Sequence, residues 1–234
     1  MSKLALTDYE AVLFDVDGTL RDSVAALLQG LADALERQRG VRPEEHEVRS
    51  LIGIPLRLQF QAFGGGDLSP EQIQELVDYC ITRIDHHKTL ERDFEPALEA
   101  LRLSSVGGFK TALVTSKSAR ELELFLPRFT HAEYVDAMVC ATDVQNPKPH
   151  PECVLLACER LSVNPEKTLM VGDSIFDIRA ARDAGVTPVA VSYGFHSKEQ
   201  LAAEEPHALL ETPEALLEWV QTNLLTTTCP ERRQ

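Results

Sequence analysis

Two aspartates that directly follow an apolar stretch form the most chemically informative pattern in this chain. Ala11 to Phe14 has the composition of a short buried strand, and Asp15 and Asp17 follow it, before the turn residue Gly18. Two carboxylates so close together are costly unless a cation joins them. Open α/β sheets bind their ligands at the carboxyl ends of the strands. The pattern therefore favours a site for a hard divalent metal and a phosphorylated substrate.

The same residues also permit a simpler interpretation, in which they only shape a turn. Asp-Gly is a common turn dipeptide, and Asp often caps a helix or turn that follows a strand. A turn requires nothing from the rest of the chain, whereas a catalytic site requires more polar groups nearby. The later segments therefore decide between the two interpretations.

Polar groups do follow the later apolar runs. These runs predict four further buried strands, at Lys110 to Thr115, Asp136 to Cys140, Thr168 to Gly172 and Thr187 to Ser192. Thr115 and Ser116 close the first of these runs, and Lys148 lies between two prolines after the second. Asp173 and Asp177 follow the third. Each group alone has an ordinary explanation, as a helix cap, a solvated loop charge or a carboxylate at a helix N-terminus. Their order on successive strand ends is hard to explain as capping alone.

Helical patterns separate most of the strands, and this arrangement predicts the architecture. Alternating strands and helices favour an α/β fold with a Rossmann-like, doubly wound parallel sheet, built from residues 1–21 and 93–225. Thr212 followed by Pro213 predicts the start of its last helix. Residues 226–234 are expected to form a frayed tail.

The segment between the first two predicted core strands carries helical patterns instead. Apolar residues recur at helical spacing from Val24 to Leu35 and again from Ile73 to Ile84, with a break at Gly64 to Gly66. Ser69-Pro70-Glu71 is a helix-start signal before the second pattern. We expect residues 22–92 to form a helical cap domain that lies over the carboxyl edge of the sheet and acts as a lid.

Composition and charge exclude several classes of protein. The chain has 234 residues, of which 44% are hydrophobic and 26% are charged, as expected for a globular protein. A net charge of −14 argues against a nucleic-acid-binding surface. The five cysteines are odd in number and include no CxxC pair, which favours a reducing compartment. Without an apparent signal segment or an apolar run of membrane-spanning length, a cytoplasmic location is expected.

The ordered polar groups resemble the motifs of the haloacid dehalogenase (HAD) superfamily over nearly the whole chain. The first motif, DxDGT, matches Asp15 to Thr19, and the second, a strand-end Thr or Ser, matches Thr115. The third, a lysine in the form KPxPE, matches Lys148, and the fourth, GDSxxD, matches Gly172 to Asp177. The insertion after the first motif is similar to the helical cap of that family.

The resemblance implies a mechanism of phosphoryl transfer. Asp15 is the implied nucleophile, which forms an aspartyl-phosphate, and Asp17 is the implied acid that protonates the leaving oxygen and then activates water. Mg²⁺ is the implied cofactor, with the Asp15 side chain, the Asp17 backbone carbonyl and Asp173 as its ligands and Asp177 in support. An acid at Asp17 favours phosphoryl transfer over dehalogenation within the superfamily.

The same resemblance assigns the groups around the transferring oxygens. Thr115, Lys148 and the backbone N–H groups of Asp17 and Ser116 are the implied donors to these oxygens.

The substrate is expected to depend on the cap. The segment Leu51 to Arg57 resembles the cap loop of phosphoglycolate phosphatase-like members, and Gly53 is its glycine. Arg57 and Arg21 are candidate contacts for a substrate carboxylate or second phosphate, because Arg binds either in a bidentate manner. Phosphoglycolate is the first expectation, but the segment around Asp93 to Pro96 lacks the Pro-x-x-Gly common at the return from the cap.

Other functions stay open at this point. Inorganic pyrophosphate, a nucleotide or a sugar phosphate would be hydrolysed by the same residues. A catalytically inactive HAD fold that serves as a binding protein is the alternative of a different class. A small phosphorylated metabolite is the expected partner, and neither nucleic acid nor a membrane is expected. The sequence does not decide between a monomer and a dimer.

Overall fold

A six-stranded parallel sheet forms the centre of the computed structural model, which describes residues 9–49, 52–63 and 68–225. The strands β1 to β8 span, in chain order, Ala11–Phe14, Arg21–Asp22, Arg92–Asp93, Lys110–Val114, Ala137–Val139, Thr168–Gly172, Thr187–Val191 and Ala208–Leu210. The helices α1 to α10 span Val24–Arg39, Glu45–Arg49, Leu56–Phe63, Pro70–His86, Glu95–Val106, Ala119–Phe125, Glu152–Leu161, Ile175–Asp183, Lys198–Ala203 and Pro213–Val220.

The sheet is doubly wound, as predicted. Its strand order is β5-β4-β1-β6-β7-β8, and every pair is parallel. The chain therefore starts in the middle, builds one half through β4 and β5, and then crosses to build the other half. This reversal leaves a crevice at the carboxyl end of β1, which is where open α/β sheets bind ligands.

Strand β1 is buried on both faces because helices cover both faces of the sheet. Its residues at even positions, Val12 and Phe14, pack into a cluster with α5 and α10. Its residues at odd positions, Ala11 and Leu13, pack into a second cluster with α7 and α8. The two-residue period of a strand explains this division.

Two features of the fold were not predicted from the sequence. The edge strand β8 was missed because its three residues are only partly buried and form a very short apolar run. The antiparallel pair β2 and β3 was missed because each has two residues, with Arg21 opposite Asp93. This two-stranded ribbon carries the chain out of the sheet domain and back again.

The helices α1 to α4 lie between the two strands of that ribbon. They share a hydrophobic cluster that also includes Phe195, and Leu31, Phe60 and Cys80 are fully buried in it. Helices α1 and α4 pack so closely at Gly30 that an added Cβ would lie 3.0 Å from the backbone nitrogen of Ile84. The predicted cap boundaries at residues 22 and 92 fall within the ribbon, and the division into two domains stays a prediction.

The helix-start signals act as predicted. The Ser69 side chain accepts a hydrogen bond from the Gln72 backbone, and the Gln72 side chain accepts one from the Ser69 backbone. Thr212 caps α10 by accepting from the Ala215 backbone N–H at 3.1 Å.

Several predictions fall on segments outside the described residues. These are the glycine break at residues 64–66, Leu51 of the cap loop and the frayed tail at residues 226–234. The four cysteines within the described ranges are buried free thiols, as expected without a disulfide framework. Among the described helices, none combines the length and the apolar character needed to cross a bilayer.

Candidate active site

The ends of three adjacent strands bring the predicted catalytic groups together. Phe14 of β1 lies beside Leu113 of β4 and Val171 of β6. Asp15, Thr115 and Asp173 follow these strands at the same edge of the sheet, and all three are buried. The motif residues therefore converge because their strands are neighbours in parallel register.

Lys148 joins the carboxylates at this edge. Its Nζ donates hydrogen bonds to Asp15 Oδ1 at 2.8 Å, to Asp177 Oδ1 at 2.6 Å and to the Val114 carbonyl at 2.6 Å. Burial alone would lower the pKa of Lys148, but the charges of Asp15 and Asp177 raise it above the usual value. The side chain is 2% exposed, so the interpretation as a solvated loop charge is wrong.

The pKa values of two aspartates show the cost of placing them together. Burial raises the pKa of Asp15 from 3.8 to about 7, with the charges of Asp177 and Asp17 adding to the effect and Lys148 opposing it. Burial and then the charges of Asp15 and Asp177 raise the pKa of Asp173 well above its usual value. The positive charge of Lys148 therefore does not fully offset the charges of the three carboxylates.

A divalent cation fits this deficit. Carboxylate oxygens of Asp15, Asp173 and Asp177 lie within 4.8 Å of one another, and hard cations prefer such oxygen donors. An added Cβ on Gly18 or Gly194 would collide with the Asp173 carboxylate, so the backbone can approach this group only where glycine stands. The donor set suits a hard metal such as Mg²⁺ and offers nothing to a soft one.

Asp177 has two roles in the structure. Its Oδ2 accepts hydrogen bonds from the Ser174 hydroxyl at 2.6 Å and the Ser174 backbone N–H at 3.1 Å, which caps helix α8. Its Oδ1 contacts Lys148. Asp177 therefore caps α8 through Oδ2 and joins the group of charged side chains around Lys148 through Oδ1.

Asp17 lies apart from the three-carboxylate cluster. Its Oδ1 accepts a hydrogen bond from Ser23 Oγ at 2.6 Å, and its Oδ2 pairs with Lys117 Nζ at 2.7 Å. Burial alone would lower the pKa of Lys117, but Asp17 and Glu121 raise it. The side chain of Asp17 is thus held by two partners that are not metal ligands. Its predicted role as acid and base, and that of its backbone carbonyl as a metal ligand, stay predictions.

The loop after β4 connects the sheet to the inserted helices. Thr115 Oγ1 accepts a hydrogen bond from the Lys117 backbone at 3.1 Å, and Ser116 Oγ donates one to the Gly53 carbonyl at 2.7 Å. Gly53 has φ +109°, and an added Cβ would lie 2.9 Å from the Phe176 ring. The backbone of the cap loop therefore rests directly on the sheet edge.

A pocket lies between this edge and the inserted helices. Its floor consists of charged and hydroxyl groups from the strand ends and their flanking helices, namely Asp15, Asp17, Thr115, Ser116, Lys117, Glu121 and Asp177. Phe195 closes one side, and residues of the insertion form the roof, namely Leu27, Leu31, Ile52, Gly53, Ile54, Leu56 and Gln59. Residues of the insertion thus face the edge of the sheet that holds the predicted catalytic groups.

Three polar lining residues, and Phe195, were not singled out from the sequence. Of the polar ones, Lys117 and Glu121 lie near the start of α6, and Gln59 lies on the short helix α3. The position of Lys117 two residues beyond the motif hydroxyl Thr115 was the only available signal. The places of Glu121 and Gln59 in the pocket depend on how α6 and α3 pack.

The two arginines predicted to bind substrate lie outside the lining of this pocket. Arg21 is buried in the ribbon, where its Nε donates to Asp93 Oδ1 at 2.6 Å and its guanidinium lies over the Phe125 ring. Arg57 is exposed on α3. Their contact with substrate therefore stays a prediction, and for Arg21 it would compete with an ion pair already formed.

The comparisons with known proteins agree with this geometry. Residues 12–191 match the family model described as haloacid dehalogenase-like hydrolase. The chain belongs to this family. The match spans the sheet edge, the insertion and every motif residue discussed above, so the HAD resemblance of the sequence is confirmed and the protein is a HAD-like hydrolase.

Curated relatives cover most of the chain. It is 30% identical over 207 residues to pyrophosphatase PpaX of Anoxybacillus flavithermus, covering 88% of this chain and 94% of that protein. It is 31% identical over 212 residues to N-acetylmuramic acid 6-phosphate phosphatase of Pseudomonas aeruginosa, covering 89% of this chain and 93% of that protein.

Solved structures share the fold. A hydrolase from Pseudomonas syringae superposes with a TM-score of 0.81 at 22% identity, covering 91% of this chain and 98% of that chain. A predicted phosphoglycolate phosphatase from Haemophilus somnus superposes with a TM-score of 0.80 at 23% identity, covering 92% of this chain and 99% of that chain. At these identities the likeness concerns the architecture.

Proposed function

We propose that this HAD-like hydrolase is a Mg²⁺-dependent phosphatase that hydrolyses a small phosphate monoester. The observation that carries the proposal is the buried Asp15 carboxylate, held by Lys148 beside the Asp173 and Asp177 carboxylates at the floor of a covered pocket. Both curated relatives reported above have names that describe hydrolysis of a phosphate bond, which supports the same reaction class.

The first step uses Asp15 as the nucleophile. One carboxylate oxygen attacks phosphorus, the bond from phosphorus to the leaving oxygen breaks, and an aspartyl-phosphate forms. Lys148 holds Asp15 through Oδ1 and thereby orients the other oxygen, Oδ2. A divalent cation among the three carboxylates would supply the charge that neutralises both the nucleophile and the phosphoryl oxygens.

Asp17 supplies the proton in the first step and removes one in the second. It protonates the leaving oxygen as the bond to phosphorus breaks, and it then takes a proton from the water that hydrolyses the aspartyl-phosphate. Lys117 and Ser23 fix the position of its carboxyl group. The leaving oxygen and the later water both lie opposite Asp15, so a group that acts on each of them in turn benefits from such fixed geometry.

The loop groups stabilise the oxygens of the transferring phosphoryl group. Thr115 presents its hydroxyl and Ser116 its backbone N–H on the loop after β4. The three N–H groups of Lys148 already bind Asp15, Asp177 and the Val114 carbonyl, so Lys148 acts on these oxygens through its charge. The Ser116 hydroxyl instead donates to the Gly53 carbonyl and so holds the cap loop over the site.

Several substrates are compatible with this chemistry. The cap-loop resemblance favours phosphoglycolate, while the names of the curated relatives point to pyrophosphate and a sugar phosphate. All share the phosphoryl group and differ only in the group that faces the roof of the pocket. The residues of the roof therefore determine which of these substrates is preferred.

A generic assay separates this proposal from the alternative of an inactive binding protein. The protein is expected to hydrolyse p-nitrophenyl phosphate with added Mg²⁺ and to lose this activity in excess chelator, with recovery when Mg²⁺ is restored. Asp15→Asn is the matched control, since the amide occupies the same volume but is a far poorer nucleophile. If the protein hydrolyses neither p-nitrophenyl phosphate nor any member of a broad panel of phosphates with Mg²⁺, the binding protein is favoured.

A further inference from the structure

One residue from outside the insertion belongs to the hydrophobic cluster of the inserted helices. Phe195 lies on the loop between β7 and α9, and among the described residues it is the only member of that cluster that the insertion does not supply. The residue is 6% exposed. Because a buried aromatic ring removes a large apolar area from water, this contact ties the position of the loop to the insertion.

The backbone of the same residue holds a proposed metal ligand. The Phe195 N–H donates a hydrogen bond to Asp173 Oδ2 at 2.6 Å. Gly194 packs against the same carboxylate, since an added Cβ there would collide with Oδ2. A carboxylate held through one oxygen keeps the other in a defined orientation, and such partners set the metal affinity of the group they hold. Phe195 therefore contacts the cluster of the insertion with its ring and the carboxylate cluster with its N–H.

The loop after β7 also contacts the turn that follows β1. Tyr193 Oη donates a hydrogen bond to the Thr19 carbonyl at 2.9 Å. The Phe195 ring lies so close to Gly18 that an added Cβ there would be 2.8 Å from ring atom Cδ2. The loop is thus closely packed between this turn and Asp173, and a close-packed segment transmits a shift of one side chain to its neighbours.

Ordinary packing is the simpler explanation of the buried ring. It predicts a loss of stability when the ring is removed and no change at the carboxylates. The hydrogen bond to Asp173 makes a further prediction, because the ring and the donating N–H belong to one residue. The backbone cannot relax around a missing ring without moving the donor that orients this carboxylate.

We propose that Phe195 is a positioning residue for the metal site. Its ring, packed in the cluster of the insertion, fixes the backbone N–H that orients Asp173. The insertion thereby supports the affinity for the metal, and by linkage the bound metal stabilises the contact between Phe195 and the insertion. The inference rests on the metal site of the proposed phosphatase.

The test measures Mg²⁺ binding by the substrate-free protein, so it needs no turnover. A bound ion raises Tm, and the Kd follows from Tm at increasing MgCl₂ concentrations. Asp173→Asn, titrated in parallel, gives the rise in Tm that comes from ions bound elsewhere on this acidic chain. Phe195→Ala is expected to raise the Kd for Mg²⁺ about tenfold, the lower end of the range for groups that orient metal ligands.

Two further variants separate positioning from packing. Leu76→Ala is the matched control, because Leu76 is a buried member of the same cluster on α4 and lies outside the described lining of the catalytic pocket. It is expected to lower Tm and to keep the wild-type Kd. Phe195→Leu keeps a smaller apolar side chain in the cluster and is expected to give a Kd between those of the wild type and Phe195→Ala. The test therefore does not depend on the folding of Phe195→Ala.

Two results would overturn the inference while the phosphatase proposal stands. One is a wild-type Kd in both Phe195 variants, and the other is an equal increase in Kd in Leu76→Ala. If the wild type binds Mg²⁺ but hydrolyses no phosphate, the proposed function fails, and the comparison of variants still tests Phe195. If Mg²⁺ raises Tm equally in the wild type and Asp173→Asn, the metal site and the inference fail together.

Discussion

At the scale of single residues, the proposed chemistry depends on the contacts of Lys148 with two carboxylates. One ammonium contacts both the proposed nucleophile Asp15 and the helix-capping Asp177, and it is almost completely buried. It offsets part of the repulsion among the carboxylates but leaves the pKa of Asp15 at about 7. A metal ion would complete the neutralisation, so we expect the site to respond to both pH and metal.

Replacing the proposed acid is expected to slow catalysis without removing the site. Asp17→Asn keeps the volume and can still accept from Ser23, but it has no proton to give to the leaving oxygen. We expect kcat to fall by about 10²- to 10⁴-fold, the usual contribution of general acid–base catalysis. The decrease is expected to be smaller for p-nitrophenyl phosphate, whose good leaving group needs little protonation. An equal decrease for both kinds of substrate would argue against this role.

The raised pKa of Asp15 predicts how the stability of the metal-free protein depends on pH. The folded state binds a proton at Asp15 more tightly than the unfolded chain does, because burial raises the pKa from 3.8 to about 7. The wild type therefore loses stability relative to Asp15→Asn as pH rises through this window. Urea unfolding in chelator between pH 4 and pH 8 measures the difference. A difference that stays constant with pH would contradict the assigned shift.

At the scale of elements, short contacts hold the insertion on the sheet. Ser116 donates to the Gly53 carbonyl, and Gly53 itself packs against Phe176 of α8. On the opposite side, the ribbon of β2 and β3 is held by the ion pair of Arg21 with Asp93. The insertion is thereby attached to the rest of the chain at two places. Its stability also depends on the contacts among its own helices.

Gly53→Ala is expected to distort the cap loop. A side chain at φ +109° is strained, and its Cβ would come too close to the Phe176 ring. We expect a loss of about 1–3 kcal/mol in the free energy of unfolding, together with a raised KM. Gly108→Ala is a matched control, since it also has positive φ but an added Cβ there meets no atom within 4 Å. A KM that rises equally in both variants would show that strain alone, and not the cap loop, is responsible.

An ion cluster around Asp33 is expected to stabilise the insertion in a pH-dependent way. Burial would raise the pKa of Asp33, but hydrogen bonds from His87, Arg42 and Arg83 lower it from 3.8 to about 2. A lowered pKa means that its contribution is complete above pH 4 and is lost as pH falls toward 2. Asp33→Asn is therefore expected to lower Tm at pH 7 and to have a smaller effect near pH 2. An effect that is larger in acid would contradict this assignment.

At the scale of the whole molecule, the sequence predicted the sheet and its catalytic edge well. Asp15, Thr115 and Asp173 could be placed together because parallel strands end at one edge and polar residues followed each apolar run. The places of Lys117 and Gln59 in the pocket could not be predicted, because both depend on packing between segments far apart in the chain. The two-residue strands at Arg21 and Arg92 are too short to show any periodicity. The expected contacts of Arg21 with substrate overlooked its nearby partner Asp93.

The proposed function depends on this division between a charged floor and a largely apolar roof. The floor contains the proposed nucleophile Asp15 and the proposed acid Asp17, which follow strand β1. The roof comes from the insertion. If the proposal holds, substitutions in the floor change the reaction, and substitutions in the roof change the substrate preference.

The most direct measurement of the central claim is identification of the residue that receives the phosphoryl group. A single turnover of a phosphate monoester with Mg²⁺, stopped in acid and followed by peptide mapping, detects an acyl phosphate on the enzyme. We predict one phosphoryl group on the peptide that contains Asp15, and none in Asp15→Asn. Phosphate release by Asp15→Asn at the wild-type rate, or a phosphoryl group on another residue, would contradict the account.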